Sequence, residues 1–357
     1  MKKKHLFLLT NNTNLGHIVP IIRELTNYRD LFIPRTIHTG THYPSHLKQH
    51  PFFSSLNETE SIHLGLSEST PSQNTARTQL ALDAVLQEKK ADAVLLEGSS
   101  NSTLGACLVA RQENIPIFHL NTTQEHCSLP NQPCPIHDLI AQLASVHYPT
   151  SPDIAQNLLK KGLLKKTITY VGNPLTDTLH ALKNESKQSP FYKTLGLKKK
   201  SYILLNIRKS HAIKASQAHK KSIQVLASLC HHKTVIALHP LPNTPLFNPL
   251  NEKKIDLLPQ ISPKYPGILN LIQHANAIIT DNDTFQLEAY FYKTPCFTLF
   301  DTKTRTISAS QHTAIPLPKT TDTVMAEYNK KKYPLPPLWD GKAAARVVKH
   351  LIKTMIL

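Results

Sequence analysis

Four stretches of the sequence hold residues whose type and spacing could do chemistry. "LLEGSSNSTLG" (95–105) places Glu97 and Ser99 where an apolar run stops in small polar residues and an apolar helical pattern begins. "NTTQEH" (121–126) opens with Asn121 at the end of another apolar run. "TDNDTFQLEA" (280–289) sets Asn282, Asp283 and Thr284 at a helix start, with Glu288 one turn further on. "EHCSLPNQPCPIH" (125–137) gathers His126, Cys127, Cys134 and His137, all zinc-type ligands. A carboxylate such as Glu97 or Glu288 can accept a proton or a hydroxyl hydrogen bond, whereas Ser and Asn accept no proton near neutral pH. The Cys and His spacing does not follow the short C-x2–4-C hook, and 20 histidines make chance clusters common, so the last stretch reads as reduced cysteines without metal.

The elements that must hold these residues follow from hydrophobic patterning. Residues 5–10, 31–38, 91–96 and 115–120 read as strands, with helices over 18–25 and 78–90. Pro20 is tolerated near the start of the first helix. After "YVGNPLTD" (170–177) the same alternation restarts in "SYILLNIRKS", "TVIALHP", "AIITDND" and "TPCFTLFD", and a final helix covers 341–354. Strand and helix in alternation imply parallel βαβ units. Two such halves predict an α/β protein of two doubly wound, Rossmann-like domains facing a cleft. Their boundaries are 1–174 and 175–340, with Gly172, Asn173 and Pro174 as the hinge. In folds of this kind ligands bind at the carboxyl ends of the strands.

Composition narrows the class. With 41 Lys+Arg against 24 Asp+Glu, the net charge of +17 favours anionic partners. The lysines fall in short scattered runs rather than an aromatic-laced stripe, which argues against nucleic acid. No stretch reaches the ~18–20 apolar residues of a membrane span, and the apolar run after the first lysines is too short for a signal peptide. Five cysteines, an odd number, fit reduced thiols and a cytoplasmic location.

Taken together, "ADAVLLEGSSNSTLGACLVARQENIPIFHLNTT", "SPDIAQNLLKKG", "YVGNPLTDTL", "ALHPLPN", "AIITDNDTFQLEAYFYKTPCFTLFDTKTR" and "WDGKAAARVVKHL" resemble, in order and spacing, the non-hydrolysing UDP-N-acetylglucosamine 2-epimerases. The resemblance covers nearly the whole chain and rests on collinearity rather than on one motif. It implies a glycosyltransferase-B-like (GT-B-like) architecture, UDP in the interdomain cleft, a last helix (341–357) packed back on the first domain, no cofactor, and a homodimer. It further implies C2 epimerisation of a UDP-sugar for cell-surface polysaccharide supply.

The acid–base residues of that resemblance are the ones missing. The family's carboxylates stand in G-D, H-x-E-A-G and P-E-E-x-N-R segments, and its histidine in G-H-R-R/K. Here the matching positions are Ser99, Asn121, the Pro133–Pro135 region and Ile207. Proton abstraction at carbon needs a positioned group of suitable pKa. Glu97, two residues before Ser99, is the nearest substitute, and Asp138, His137 and His211 are the others. The nucleotide positions survive better: Glu288 matches the ribose-binding glutamate, and Arg305, His239 and His42 match cleft residues. Asn12 stands at the family's N-terminal arginine. Asn282, Asp283 and Thr284 replace the glycine-bearing phosphate loop, with Asp283 read as the cap of a helix starting near Thr284. Two rival readings remain, a glycosyltransferase-like enzyme and a catalytically inactive binding or regulatory protein.

Overall fold

The computed structural model describes residues 2–10, 15–40, 50–66, 70–121, 135–207, 224–226, 234–238, 255–257, 264–280, 282–298, 315–316 and 335–357. They divide into two compact units, Met1–Ala181 with Pro336–Leu357, and Leu182–Leu335. No helix among the described residues is long and apolar enough to cross a membrane.

Unit 1 is built on six parallel strands, β1 (Lys4–Thr10), β2 (Phe32–His38), β3 (Glu60–His63), β4 (Ala93–Glu97), β5 (Ile117–Asn121) and β6 (Val146–Pro149), in the order β3-β2-β1-β4-β5-β6. The apolar runs of β1 and β4 are buried on both faces, as a parallel sheet between helix layers requires. One face packs Phe7, Leu9, Val94, Leu96 and Ile117 against Leu82, Leu86, Ala106 and Val109. Those four belong to α2 (Pro71–Lys89) and α3 (Asn101–Gln112). Each such fully buried Leu or Val contributes about 1.5–3 kcal/mol. α2 begins seven residues before the helix read from periodicity, because Thr70 and Gln73 close a reciprocal capping box ahead of Pro71. Gly105 lets α2 and α3 approach: a Cβ there would sit 2.6 Å from the Thr75 carbonyl oxygen.

On the other face lies α1 (Leu15–Leu25), which carries Pro20 inside it. Proline has no N–H, so the Gly16 carbonyl one turn earlier loses its helical donor. Thr178 Oγ1 donates to that carbonyl instead, at 2.6 Å. Thr178 belongs to the helix Pro174–Gln188, which follows α4 (Pro135–Leu143) and α5 (Pro152–Lys160) and is therefore α6.

The last helix, Ala343–Met355, belongs to unit 1. Its N-cap residue Lys342 provides no side-chain cap, and the Asp177 carboxylate does so from outside, accepting from Ala343 N–H (3.1 Å) and Ala344 N–H (2.8 Å). Trp339 Nε1 donates to the Thr150 carbonyl at 2.8 Å, and Tyr148 Oη meets His350 Nδ1 at 3.0 Å. Gly172, at φ 87°, passes so close to Leu338 that a Cβ would fall 2.1 Å from the Leu338 carbonyl oxygen.

Unit 2 repeats the plan with β7 (Tyr202–Asn206), β8 (Thr234–Ala237), β9 (Ile255–Leu257), β10 (Ala277–Thr280), β11 (Cys296–Thr298) and β12 (Ile315–Pro316), in the order β12-β11-β10-β7-β8-β9, all parallel. Helices described in it include α7 (Phe191–Thr194), α8 (Tyr265–His274) and α9 (Asp283–Phe291), and the final helix is α10. A fully buried Asn270 ties α8 down by donating to the Ser186 carbonyl at 2.9 Å and accepting from Tyr192 N–H at 3.1 Å.

Candidate functional site

Both sheets reverse their strand order once, and ligands of doubly wound proteins bind at that switch point. In unit 1 it lies between β1 and β4, in unit 2 between β7 and β10.

At the unit 1 switch point β4 stops at Glu97, and Gly98 turns the chain at φ 71°. The alternation that would set Glu97 and Ser99 on one side therefore breaks between them. His119 Nε2 donates to the Gly98 carbonyl at 2.8 Å, and Gly98 N–H donates to the Leu120 carbonyl at 3.2 Å, so the turn is anchored to β5. The small polar residues that follow build the start of α3: Ser100 caps it by accepting from Thr103 N–H at 3.1 Å. Ser99 is not part of that cap. It is buried, and its Oγ has no hydrogen-bond partner among the described residues.

Glu97 is 4 % exposed, and its carboxyl oxygen lies 3.8 Å from Nδ1 of His17, in the first turn of α1. Burial pushes the His17 imidazole down to about 4, which leaves it neutral at pH 7. The contact is thus a carboxyl group against a neutral ring, not an ion pair. Burial likewise pushes His119 down to about 3 and His147 to about 4. These two rings are neighbours across β5 and β6, with centroids 6.3 Å apart. Asn121 closes β5 and pairs with Pro149 of β6.

The unit 2 switch point is more fully assembled. Thr280, at the end of β10, donates from Oγ1 to the Asn206 carbonyl (2.8 Å) and accepts from Asn282 N–H (3.0 Å). Asn282, not Asp283, caps α9, its Oδ1 accepting from Phe285 N–H at 2.8 Å, and the helix begins at Asp283. The expected cap is corrected by one residue: Asn282 has the extended backbone of a cap and Asp283 is already helical. Asp283 adds a carboxylate to the first turn, where the helix dipole favours it, and Thr284 follows it. Gln286 is 1 % exposed, with neither amide atom hydrogen-bonded among the described residues. Glu288, 3 % exposed, accepts from the Tyr265 hydroxyl at 2.5 Å. Burial lifts its carboxyl to about 7, the Tyr265 bond pulling the other way. Ile207, after β7, is a buried apolar residue and offers no proton-transfer group.

Asn12, His42, His239, Arg305, His211, His126, Cys127 and Cys134 lie outside the described residues. His137 is buried beside Asp138, which pairs with Lys161. Among the described residues no group of three or more His, Cys, Asp or Glu could hold a metal ion. Reading by motif missed His17 and Tyr265. A histidine among apolar helix residues carries no mark of function, and only the fold brings Tyr265 to Glu288 from 23 residues away.

Two parallel, doubly wound units with buried polar groups at each switch point define a GT-B-like α/β protein. Residues 24–352 match the family model described as UDP-N-acetylglucosamine 2-epimerase, and the chain belongs to that family. It is 28 % identical to the UDP-N-acetylglucosamine 2-epimerase of Methanocaldococcus jannaschii, over 96 % of this chain and 97 % of that one. It is 24 % identical to a UDP-2,3-diacetamido-2,3-dideoxy-D-glucuronate 2-epimerase of Pseudomonas aeruginosa, over 74 % of each chain. Its fold is similar to that of the Neisseria meningitidis UDP-GlcNAc 2-epimerase bound to UDP-GlcNAc, with a TM-score of 0.80 at 20 % identity, covering 98 % of this chain and 100 % of that one.

Proposed function

We propose that the protein binds a UDP-sugar, with the nucleotide at the switch point of unit 2, and that C2 epimerisation by the family's acid–base route is lost. The observation that carries the first half is Glu288, a buried carboxyl held by Tyr265 behind the N-terminus of α9. A carboxylate there accepts ribose hydroxyls, and the free N–H groups of a helix start suit a diphosphate. The amide of Gln286 on the same helix, without a hydrogen bond among the described residues, adds donor and acceptor capacity. Family membership supports the same ligand.

The second half rests on Ser99, Asn121 and Ile207, which stand where the family carries carboxylates and a histidine. Positioned acid–base groups contribute about 10²–10⁴-fold each. Glu97 is the one candidate base at the unit 1 switch point among the described residues, and it lies against a neutral imidazole. A binding or regulatory protein on an epimerase scaffold, within cell-surface polysaccharide precursor supply, accounts for a kept nucleotide site and a dismantled acid–base set. The test is UDP titration by calorimetry with wild type and Glu288→Ala. At pH 8, where the Glu288 carboxyl is mostly ionised, the variant should lose about 1–3 kcal/mol of affinity, the worth of a charge-assisted hydrogen bond. Unchanged affinity in a variant with wild-type circular dichroism refutes the ribose assignment.

A further inference from the structure

The segment "LLKKGLLKK" (158–166) sets two leucines and two lysines on either side of Gly162. It closes α5. Gly162, at φ 85°, donates from its N–H to the Leu159 carbonyl at 3.0 Å, and Leu163 N–H donates to the Leu158 carbonyl at 3.2 Å. This paired ending is the one a left-handed glycine gives a helix, and it fixes which leucines turn inward. Leu158 is 1 % exposed and packs into the core, whereas Leu159 is 43 % and Leu164 60 % exposed.

The cations around these two leucines come from two elements. Lys160, Lys165 and Lys166 are exposed on the segment itself. Beyond it the chain runs between the sheet edge and α10. Ile168 bridges to His147 of β6, Thr169 Oγ1 meets His350 Nε2 at 3.2 Å, and the Arg346 guanidinium donates to the Val171 carbonyl at 3.2 Å. One turn of α10 thus spans two extended residues. The next turn brings the exposed Lys353 level with Thr167, beside Lys165 and Lys166. No acidic residue occurs in 154–176 or in 341–357. The carboxylates facing these stretches, Asp138 and Asp340, pair with Lys161 and Arg346.

The dipole of α5 favours lysines at its C-terminus, but that field fades within a turn and does not account for Lys165, Lys166 or Lys353. Exposed leucines scattered singly are ordinary; a pair in one tight turn, rimmed by lysines, marks a contact surface. Such a pair matches a partner that is anionic at its face and apolar beneath, as an acidic bilayer is. Nucleic acid supplies the charge without the apolar layer, and 158–166 holds no aromatic residue on which a base could stack.

We propose that the end of α5, together with the last turns of α10, docks peripherally on anionic phospholipid, the lysines meeting headgroups and Leu159 and Leu164 entering the acyl boundary. The proposal is independent of the nucleotide reading.

Co-sedimentation of the full chain with vesicles tests it, using phosphatidylcholine alone and phosphatidylcholine with about a third phosphatidylserine. Wild type should bind the anionic vesicles and not the neutral ones, and binding should fall as salt rises from about 0.1 to 0.5 M and the Debye length shortens. Lys165→Gln with Lys166→Gln should weaken binding about 30-fold, roughly fivefold for each charge near the surface. Leu159→Ser with Leu164→Ser should weaken it about tenfold, the effect of two partly inserted leucines. Lys198→Gln with Lys199→Gln, an equal change of charge in unit 2, should leave it unchanged. All six side chains are exposed, so melting temperatures should stay at the wild-type value. Wild type that ignores anionic vesicles, an equal loss in the unit 2 variant, or full binding by the leucine variant overturns the proposal. Full binding by the leucine variant, joined to equal binding of a single-stranded oligonucleotide, would mark a general polyanion surface instead.

Discussion

Acid should open unit 1 well before pH 4, and the buried histidines set the scale. His17, His119 and His147 are each at most 2 % exposed and are pushed down to about 4, 3 and 4. An unfolded histidine takes up its proton near pH 6.5. Their stabilising contribution is therefore complete above pH 6.5 and is lost as pH falls toward 4. Three such groups cost about 4 kcal/mol per pH unit, at roughly 1.4 each. Asp177 works in the opposite sense, since burial raises it to about 6. From about pH 6 downward it returns one share, leaving about 3 kcal/mol per unit. Between pH 6.5 and 5 the loss is about 4 kcal/mol, close to the whole stability of a marginal domain. In unit 2 the sign is reversed for Glu288, whose raised carboxyl gains stability as pH falls from about 7 to 4.5. The chain's single tryptophan, Trp339, reports on unit 1, being buried there and bonded to Thr150. Its emission should change cooperatively near pH 5, and hydrogen exchange in α9 should lag behind. His147→Leu, which removes a ring with no hydrogen bond among the described residues, should move the transition to lower pH. Trp339 emission that is constant from pH 7.5 to 4, or exchange in α9 that leads, refutes the reasoning.

Further outcomes follow from single contacts. Gly172→Ala sets a Cβ against the Leu338 carbonyl at a φ that disfavours side chains, and should cost about 3 kcal/mol or more in a denaturant melt. Asp177→Ala removes the external cap of α10 and should cost about 0.5–2 kcal/mol at neutral pH, read as a lower melting temperature and faster exchange in the first turn of α10.

Much of this fold is legible in the sequence because its strands are continuous apolar runs buried on both faces. β1, β4, β7 and β10 all show it. The short edge strand β3, half exposed and polar, has no such run and emerges only through its pairing with β2. The start of α2 was hidden because its first residues are polar and only the Thr70–Gln73 box marks them. At the sites, Glu288 and Ser99 are picked out by motif, and the structure shows both buried at the switch points. The fold alone supplies Tyr265 to Glu288 and His17 to Glu97, since both pairs join residues distant in sequence. Nor does the spacing of Glu97 and Ser99 reveal that a left-handed residue, Gly98, stands between them and ends the strand alternation.

The central claim, nucleotide recognition kept and C2 proton transfer lost, is tested most directly by one measurement. UDP-N-acetylglucosamine is incubated with the purified protein in D2O, at concentrations where calorimetry shows the site filled, and deuterium at C2 is followed by NMR. On the proposal that Ser99, Asn121 and Ile207 stand in place of the family's acid–base residues, little or no deuterium should enter C2 and no manno product should form. Rapid incorporation at C2 would contradict the account. It would mean a relocated base, and its abolition in Glu97→Gln with UDP binding intact would identify that base.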